Sequence, residues 1–328
     1  MKAIWAGVVA ALMLAGSAQA QAPGCKLRKL GDLPVTMVGL KPHVPVRVNG
    51  QDVMFVADSG AWFSMIDEAS AKRLGLSTGI TPPGLRVRGV AGSAAVKVGV
   101  AKTFGIAGAE VNKVDFLVGG PVLPGAPAGI LGQNVLGAFD VEYDFANGVM
   151  RLFKPEGCAK ANLAYWAAGK PVTVLAFQHT TPVEPHAISQ AFVNGKPIKV
   201  MFDTGAFRSV LKRSTAEKLG FRQDGPGVEY GGVSFGIGPR QIESWIAPFE
   251  AFAIGDEQIK NTRLRVAAIA LQPADMLLGA DFFLSHRVMV SNSQDRLFFT
   301  YNGGPVFRLE PVRSADAPLA PQPASSTT

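Results

Sequence analysis

The segment Asn49-Gly50-Gln51-Asp52-Val53-Met54-Phe55-Val56-Ala57-Asp58-Ser59-Gly60-Ala61 returns later in the chain as Asn194-Gly195-Lys196-Pro197-Ile198-Lys199-Val200-Met201-Phe202-Asp203-Thr204-Gly205-Ala206. Extended to residues 49–75 and 194–220, the two stretches align without a gap at a constant offset of 145, with 9 of 27 positions identical. Chance would give about one or two identities, so the chain is an internal duplication. Each copy reads as a strand, an Asn-Gly hairpin turn and an apolar return strand that ends at an aspartate. A short apolar strand follows. A helix near 68–74 or 214–219 comes next, with Gly75 or Gly220 past its last turn. Ser214 with Glu217 three residues on has the pattern of a capping box.

A second shared element lies downstream. Ile130-Leu131-Gly132-Gln133-Asn134-Val135-Leu136 corresponds to Leu277-Leu278-Gly279-Ala280-Asp281-Phe282-Phe283, and each is followed by an alternating strand pair, 139–145 with 148–153 and 287–291 with 296–301. The duplicated unit is therefore long enough to be a lobe with its own core. The expected organisation is a first lobe over 21–165, a second over 166–312 and a disordered tail over 313–328, rich in Pro, Ala, Ser and Thr.

Each aspartate ends an apolar strand and is followed by a hydroxyl residue, glycine and alanine. Phe55, Val56, Met201 and Phe202 precede the pair, and Trp62, Phe63 and Phe207 follow it. A carboxylate in such company is poorly solvated, and burying a lone ionised acid is costly without a partner or a use. If the copies pack about a pseudo-twofold axis, the two aspartates meet. Two carboxyls in contact cannot both ionise cheaply, so they share a proton and offer one acid and one base to a common water. Glycine allows close backbone approach, and the Ser59 and Thr204 hydroxyls can bond across to the opposite copy.

Both copies resemble the retropepsin-like aspartic protease family, carried by Asp-Ser/Thr-Gly-Ala after an apolar strand, a glycine-rich segment, and an apolar pair followed by Gly-x-Asn/Asp. The likeness covers 44–153 and 187–301. It implies an all-β, two-lobed fold of the pepsin and retropepsin type, with both lobes in one chain. Asp58 and Asp203 would be the catalytic pair, with Ser59, Gly60, Ala61, Thr204, Gly205 and Ala206 forming the supporting loops. Leu131-Gly132 and Leu278-Gly279 would pack beneath them. Substrate-covering hairpins are expected within 84–100 and 225–238, with tips at Gly89, Gly92, Gly231 and Gly232, and with Gly92, Tyr230, Gly231 and Gly232 touching substrate. The activity implied is endopeptidase hydrolysis of a protein or peptide by a water held between the aspartates, with no cofactor and no metal. Many pepsin-like sequences carry a hydroxyl residue where this chain has Ala61 and Ala206. Without that donor the shared proton should persist to higher pH.

Composition agrees with a β-rich globular chain. Its 328 residues are 48% hydrophobic and 17% charged, with 37 Gly and 23 Pro, which excludes wholesale disorder and favours short strands joined by turns. Residues 1–20 read as a signal peptide: Lys2, then an apolar run, then Ala18-Gln19-Ala20 as the cleavage site. Export follows, to the periplasm or as a secreted protein, with no membrane span once the signal is removed. The only cysteines, Cys25 and Cys158, can form one bridge in an oxidising compartment or remain two buried thiols. The four histidines share no metal-ligand spacing with them. Net charge is +7, spread without a basic block, which argues against nucleic acid as partner. The expected state is a monomer. Two other classes remain open: a non-catalytic periplasmic peptide-binding module on the same fold, and a duplicated β-barrel for a small apolar ligand. Motifs of zinc proteases and nucleotide-binding loops do not occur in the chain.

Overall fold

The computed structural model describes residues 24–120, 127–178 and 186–310, so the expected signal peptide (1–20) and the whole of the expected tail (313–328) lie outside the described residues. Each copy closes into a six-stranded barrel. In the first, the order is Lys41–Val48, Gln51–Ala57, Gly129–Leu131, Met65–Ile66, Ala109–Val118 and Lys97–Ile106, which returns to pair with Lys41–Val48. The second runs Ile188–Val193, Lys196–Phe202, Met276–Leu278, Val210–Lys212, Glu257–Ala267 and Ile242–Ile254, which closes on Ile188–Val193. Closure leaves no open strand edge within either ring. Alternation fills the interior: Val44, Val46 and Val48 point inward with Phe55, Phe104 and Phe116 in the first barrel.

The two hairpins expected at the end of each copy do not stay in their own lobes. Asp140–Asp144 pairs antiparallel with His286–Ser291, Val141 opposite Val290, and this contact joins the halves of one six-stranded sheet. Lys26–Pro34 and Val149–Glu156 extend the sheet on one side, and Arg296–Tyr301 and Thr173–Ala176 on the other. Where the lobes meet, the buried Glu142 takes a charge-assisted bond from Arg287 at 2.8 Å and accepts from the Tyr165 hydroxyl at 2.6 Å. Arg151 contacts the same carboxylate. The lobes are thus tied by backbone, by core and by a satisfied charge cluster.

Cys25 and Cys158 form a disulfide with Cα atoms 4.4 Å apart, buried against Phe153, Leu163, Trp166, Met289 and Phe298. The bridge clamps the start of Lys26–Pro34 to the end of Val149–Glu156 and closes a 133-residue separation. Restricting so long a loop in the unfolded chain is worth several kcal/mol. Replacing both cysteines by alanine is expected to lower unfolding free energy by about 2–5 kcal/mol in urea titrations. Peptide hydrolysis should change little.

The local helix signals divide. In the first copy the helix Glu68–Arg73 is capped by Asp67, whose carboxylate accepts from Ser70 N at 2.8 Å. In the second, the expected capping box does not form: the helix Arg213–Lys218 begins one residue early, Lys212 is its N-cap, and Ser214 lies inside the first turn. Glu217 bonds instead to Arg213 at 2.9 Å, one helical turn back. Among the described residues no helix is long and apolar enough to cross a membrane, and no cluster of three His, Cys, Asp or Glu side chains could hold a metal ion.

Candidate active site

Parallel pairing within each barrel builds the site from below. Gly129–Leu131 runs beside Gln51–Ala57, and Met276–Leu278 beside Lys196–Phe202. The next residue out on each central strand is the aspartate, and its N–H donates to Leu131 O at 3.0 Å or Leu278 O at 2.9 Å. Leu-Gly of the second motif therefore fixes the aspartate of the first.

Both halves lock these loops with one serine. Ser64 N and Oγ donate to Asn134 Oδ1 at 2.7 and 2.8 Å, and Ser64 Oγ accepts from Gly132 N at 2.9 Å. In the second lobe Ser209 N and Oγ donate to Asp281 Oδ1 at 2.9 and 2.7 Å, and Ser209 Oγ accepts from Gly279 N at 3.0 Å. The identity Ser64/Ser209 and the Gly-x-Asn/Asp element are two ends of one contact. Asp281 has a second oxygen to satisfy, and it accepts from Arg308 N at 3.1 Å.

Across the lobes the contacts are reciprocal. Ser59 Oγ donates to Phe202 O at 2.8 Å and accepts from Thr204 N at 3.0 Å. Thr204 Oγ1 donates to Ala57 O at 2.8 Å and accepts from Ser59 N at 2.9 Å. Both hydroxyls are buried. Within its own loop each glycine donates to its aspartate: Gly60 N to Asp58 Oδ1, and Gly205 N with Ala206 N to Asp203 Oδ1, all at 3.0 Å. A methyl group on Gly60 would overlap the Asp203 carboxylate, and one on Gly205 the Asp58 carboxylate. Only glycine lets each backbone come so close to the opposite acid.

Asp58 and Asp203 meet at the floor of a cleft of about 1500 Å³ that opens between the lobes. Their carboxyls hydrogen-bond to one another, and burial pushes the pKa of both above the carboxylate range. The charge of Asp203 raises Asp58 further, whereas the N–H groups of Ala206 and Gly205 favour the ionised form of Asp203. Two buried carboxyls in contact thus favour a single proton held between them. Beneath them Tyr143 is fully buried, its phenol pushed up by burial and by the nearby Asp58, so it stays neutral.

The sequence reading missed two basic residues here. The Asn49-Gly50 turn sets Val48 opposite Gln51 and His43 opposite Val56, and two residues further the register brings Lys41 level with Asp58. The matching turn sets Ile188 opposite Met201 and brings His186 level with Asp203. Both line the cleft. Burial lowers the Lys41 ammonium pKa while both aspartates hold it up, and in turn Lys41 lowers Asp58 and His186 lowers Asp203. Counting back from each turn would have found them.

Two hairpins roof the cleft. Arg86–Gly89 pairs with Gly92–Ala95 around the turn at Val90-Ala91. The second roof is the loop 235–241, between Glu229–Ser234 and Ile242–Ile254. The roofs meet: Ala91 N donates to Ile237 O at 3.1 Å and Arg240 N to Ala91 O at 3.3 Å. Gly92 lines the cleft. Gly231 and Gly232 are not a tip, which corrects the expectation. They sit at a bulge inside a strand, where Gly231 leaves room for the Arg265 guanidinium that bonds its carbonyl. Tyr230 likewise lies outside the cleft lining, 57% exposed and edge-on to Trp245.

These features define a two-barrel, all-β protein with a carboxyl pair on a pseudo-twofold axis. The family model described as Aspartyl protease matches residues 44–135 and 189–282, and the chain belongs to that family. Similar solved structures include a retropepsin-like aspartic protease from Rickettsia conorii, at 24% identity and TM-score 0.30 over 40% of this chain and 91% of that one. Basic 7S globulin from soybean aligns at 12% identity and TM-score 0.44 over 84% of this chain and 95% of that one. No curated protein matches the chain.

Proposed function

We propose that the chain is an exported aspartic endopeptidase acting on proteins or peptides in the periplasm. The observation that carries this reading is the contact between Asp58 and Asp203, both raised by burial, at the floor of a cleft roofed by two hairpins. The ionised member of the pair takes a proton from the water as it attacks the peptide carbonyl, and the protonated member donates its proton to the carbonyl oxygen. The proton taken from the water then passes to the leaving nitrogen. An extended substrate fits between floor and roof, its alternate side chains entering the walls. The reaction calls for no cofactor. The Cys25–Cys158 bridge supports an oxidising compartment.

Denatured protein mixed with the purified chain, with and without a statine-type transition-state mimic, tests the reading by mass spectrometry of new termini. Hydrolysis suppressed by the mimic is the expected result. Binding of peptides without new termini would favour the non-catalytic binding module instead.

The Lys41 ammonium adds a pH dependence. It holds the Asp58 pKa down, so Lys41→Met lets the pair keep its proton to higher pH. The alkaline limb of the kcat/KM profile should move upward in this variant. An unmoved or lowered limb would show that Lys41 does not act on the pair.

A further inference from the structure

The charge lining the cleft does not balance. Among the described residues, seven Lys and Arg side chains line it, against one carboxylate besides the aspartate pair, that of Asp67. Asp67 is already engaged in capping the helix Glu68–Arg73. Among the described residues none of Lys41, Arg88, Lys212 or Arg240 forms an ion pair with a carboxylate. Arg265 is 2% exposed, bonds only to hydroxyl and carbonyl oxygens, and adds a fixed charge to the wall. The pair itself, holding one proton, offsets a single unit.

The cations are also placed about the scissile position rather than scattered. Hairpin register sets Lys41 level with Asp58 at the floor. Above them, Arg88 projects from the exposed face of the first hairpin, and Arg240 stands where the two roofs meet, its Nε on Ala91 O at 3.2 Å. Low-dielectric walls focus such a field into the cleft. A ligand that supplies negative charge is drawn in, whereas a basic one meets like charge from floor and roof.

We propose that the cleft selects acidic peptides, with Asp or Glu side chains beside the cleaved bond answering Lys41 below and Arg88 and Arg240 above. The inference rests on the proteolytic reading for its reaction and on the lining for its selectivity.

Matched peptides that differ only in Glu, Gln or Lys at the residues flanking one bond test it. The Glu peptide should exceed the Lys peptide by about tenfold or more in kcat/KM, and the advantage should shrink as salt is added. Arg88→Glu, on an exposed strand, and the pair Arg88→Glu with Arg240→Glu should reduce or reverse the order. Lys196→Glu makes the same charge change at the far end of the strand leading to Asp203, about 20 Å away, and should leave the order intact. Equal cleavage of all three peptides would overturn the selectivity while leaving hydrolysis standing. If no peptide is cut, fluorescence anisotropy of the same labelled peptides separates the claims: preferred binding of the Glu peptide keeps the selectivity and removes only catalysis, and equal or absent binding removes the selectivity.

Discussion

Asp58→Asn and Asp203→Asn each lower kcat by about 10³- to 10⁴-fold, and the double variant is no slower than either alone. An acid and a base act together on one water, so losing either stops the step that both serve, and the two losses do not add. Asparagine keeps the volume and still offers an oxygen to Gly60 N, or to Gly205 N and Ala206 N. It also removes a charge that burial disfavours. Thermal unfolding of both variants should therefore match or exceed that of the parent chain. Undiminished hydrolysis by either single variant would remove the paired mechanism.

Gly60→Ala and Gly205→Ala come second in size. The added methyl group would occupy the space of the opposite carboxylate, so the two acids can no longer keep their contact. Displacing a reacting group by about 1 Å costs about 10²-fold, and a loss of that size or larger is expected in kcat. Neither substitution replaces a core side chain of the two barrels, such as Phe55, Phe104 and Phe116 in the first, which predicts a cooperative unfolding transition in both variants. Activity kept at the parent level would mean that the carboxyls do not need this spacing.

Duplication made most of the fold legible. Whatever each lobe needs twice stands out at a fixed offset: Asn49 and Asn194 at the hairpin turns with φ near +50°, Ser64 and Ser209 under the loops, and Gly75 and Gly220 in the left-handed region past each helix. The aspartates, Ser59 and Thr204 were readable as candidates for the same reason, because a hydroxyl beside a buried acid in two copies has a use only if the copies face each other. What lies between the lobes was not readable. Alternation marks 139–145 and 287–291 as strands but says nothing of their partner, and the pairing of Val141 with Val290 belongs to neither copy alone.

The roof was misread for a different reason. Two glycine clusters compete near residue 230, and Gly231 is there to admit the Arg265 guanidinium, whereas the loop that meets the first hairpin carries Gly236 and Gly238. Gly238 is placed so close to Ala91 that a methyl group there would overlap it. Lys41 and His186 escaped because they differ in type, although the turn register fixes both positions.

The most direct test of a shared proton is the pH dependence of kcat/KM for one cleaved peptide, followed from the acid range to well above neutrality. One proton between Asp58 and Asp203 requires a bell, because the doubly protonated pair has no base and the fully ionised pair has no acid. With burial raising both carboxyls, the alkaline limb is expected well above the ordinary carboxylate range, which places activity closer to neutrality than two solvated acids would allow. A profile that climbs to a plateau and never falls on the alkaline side would contradict the account, because hydrolysis would then need no proton on the pair.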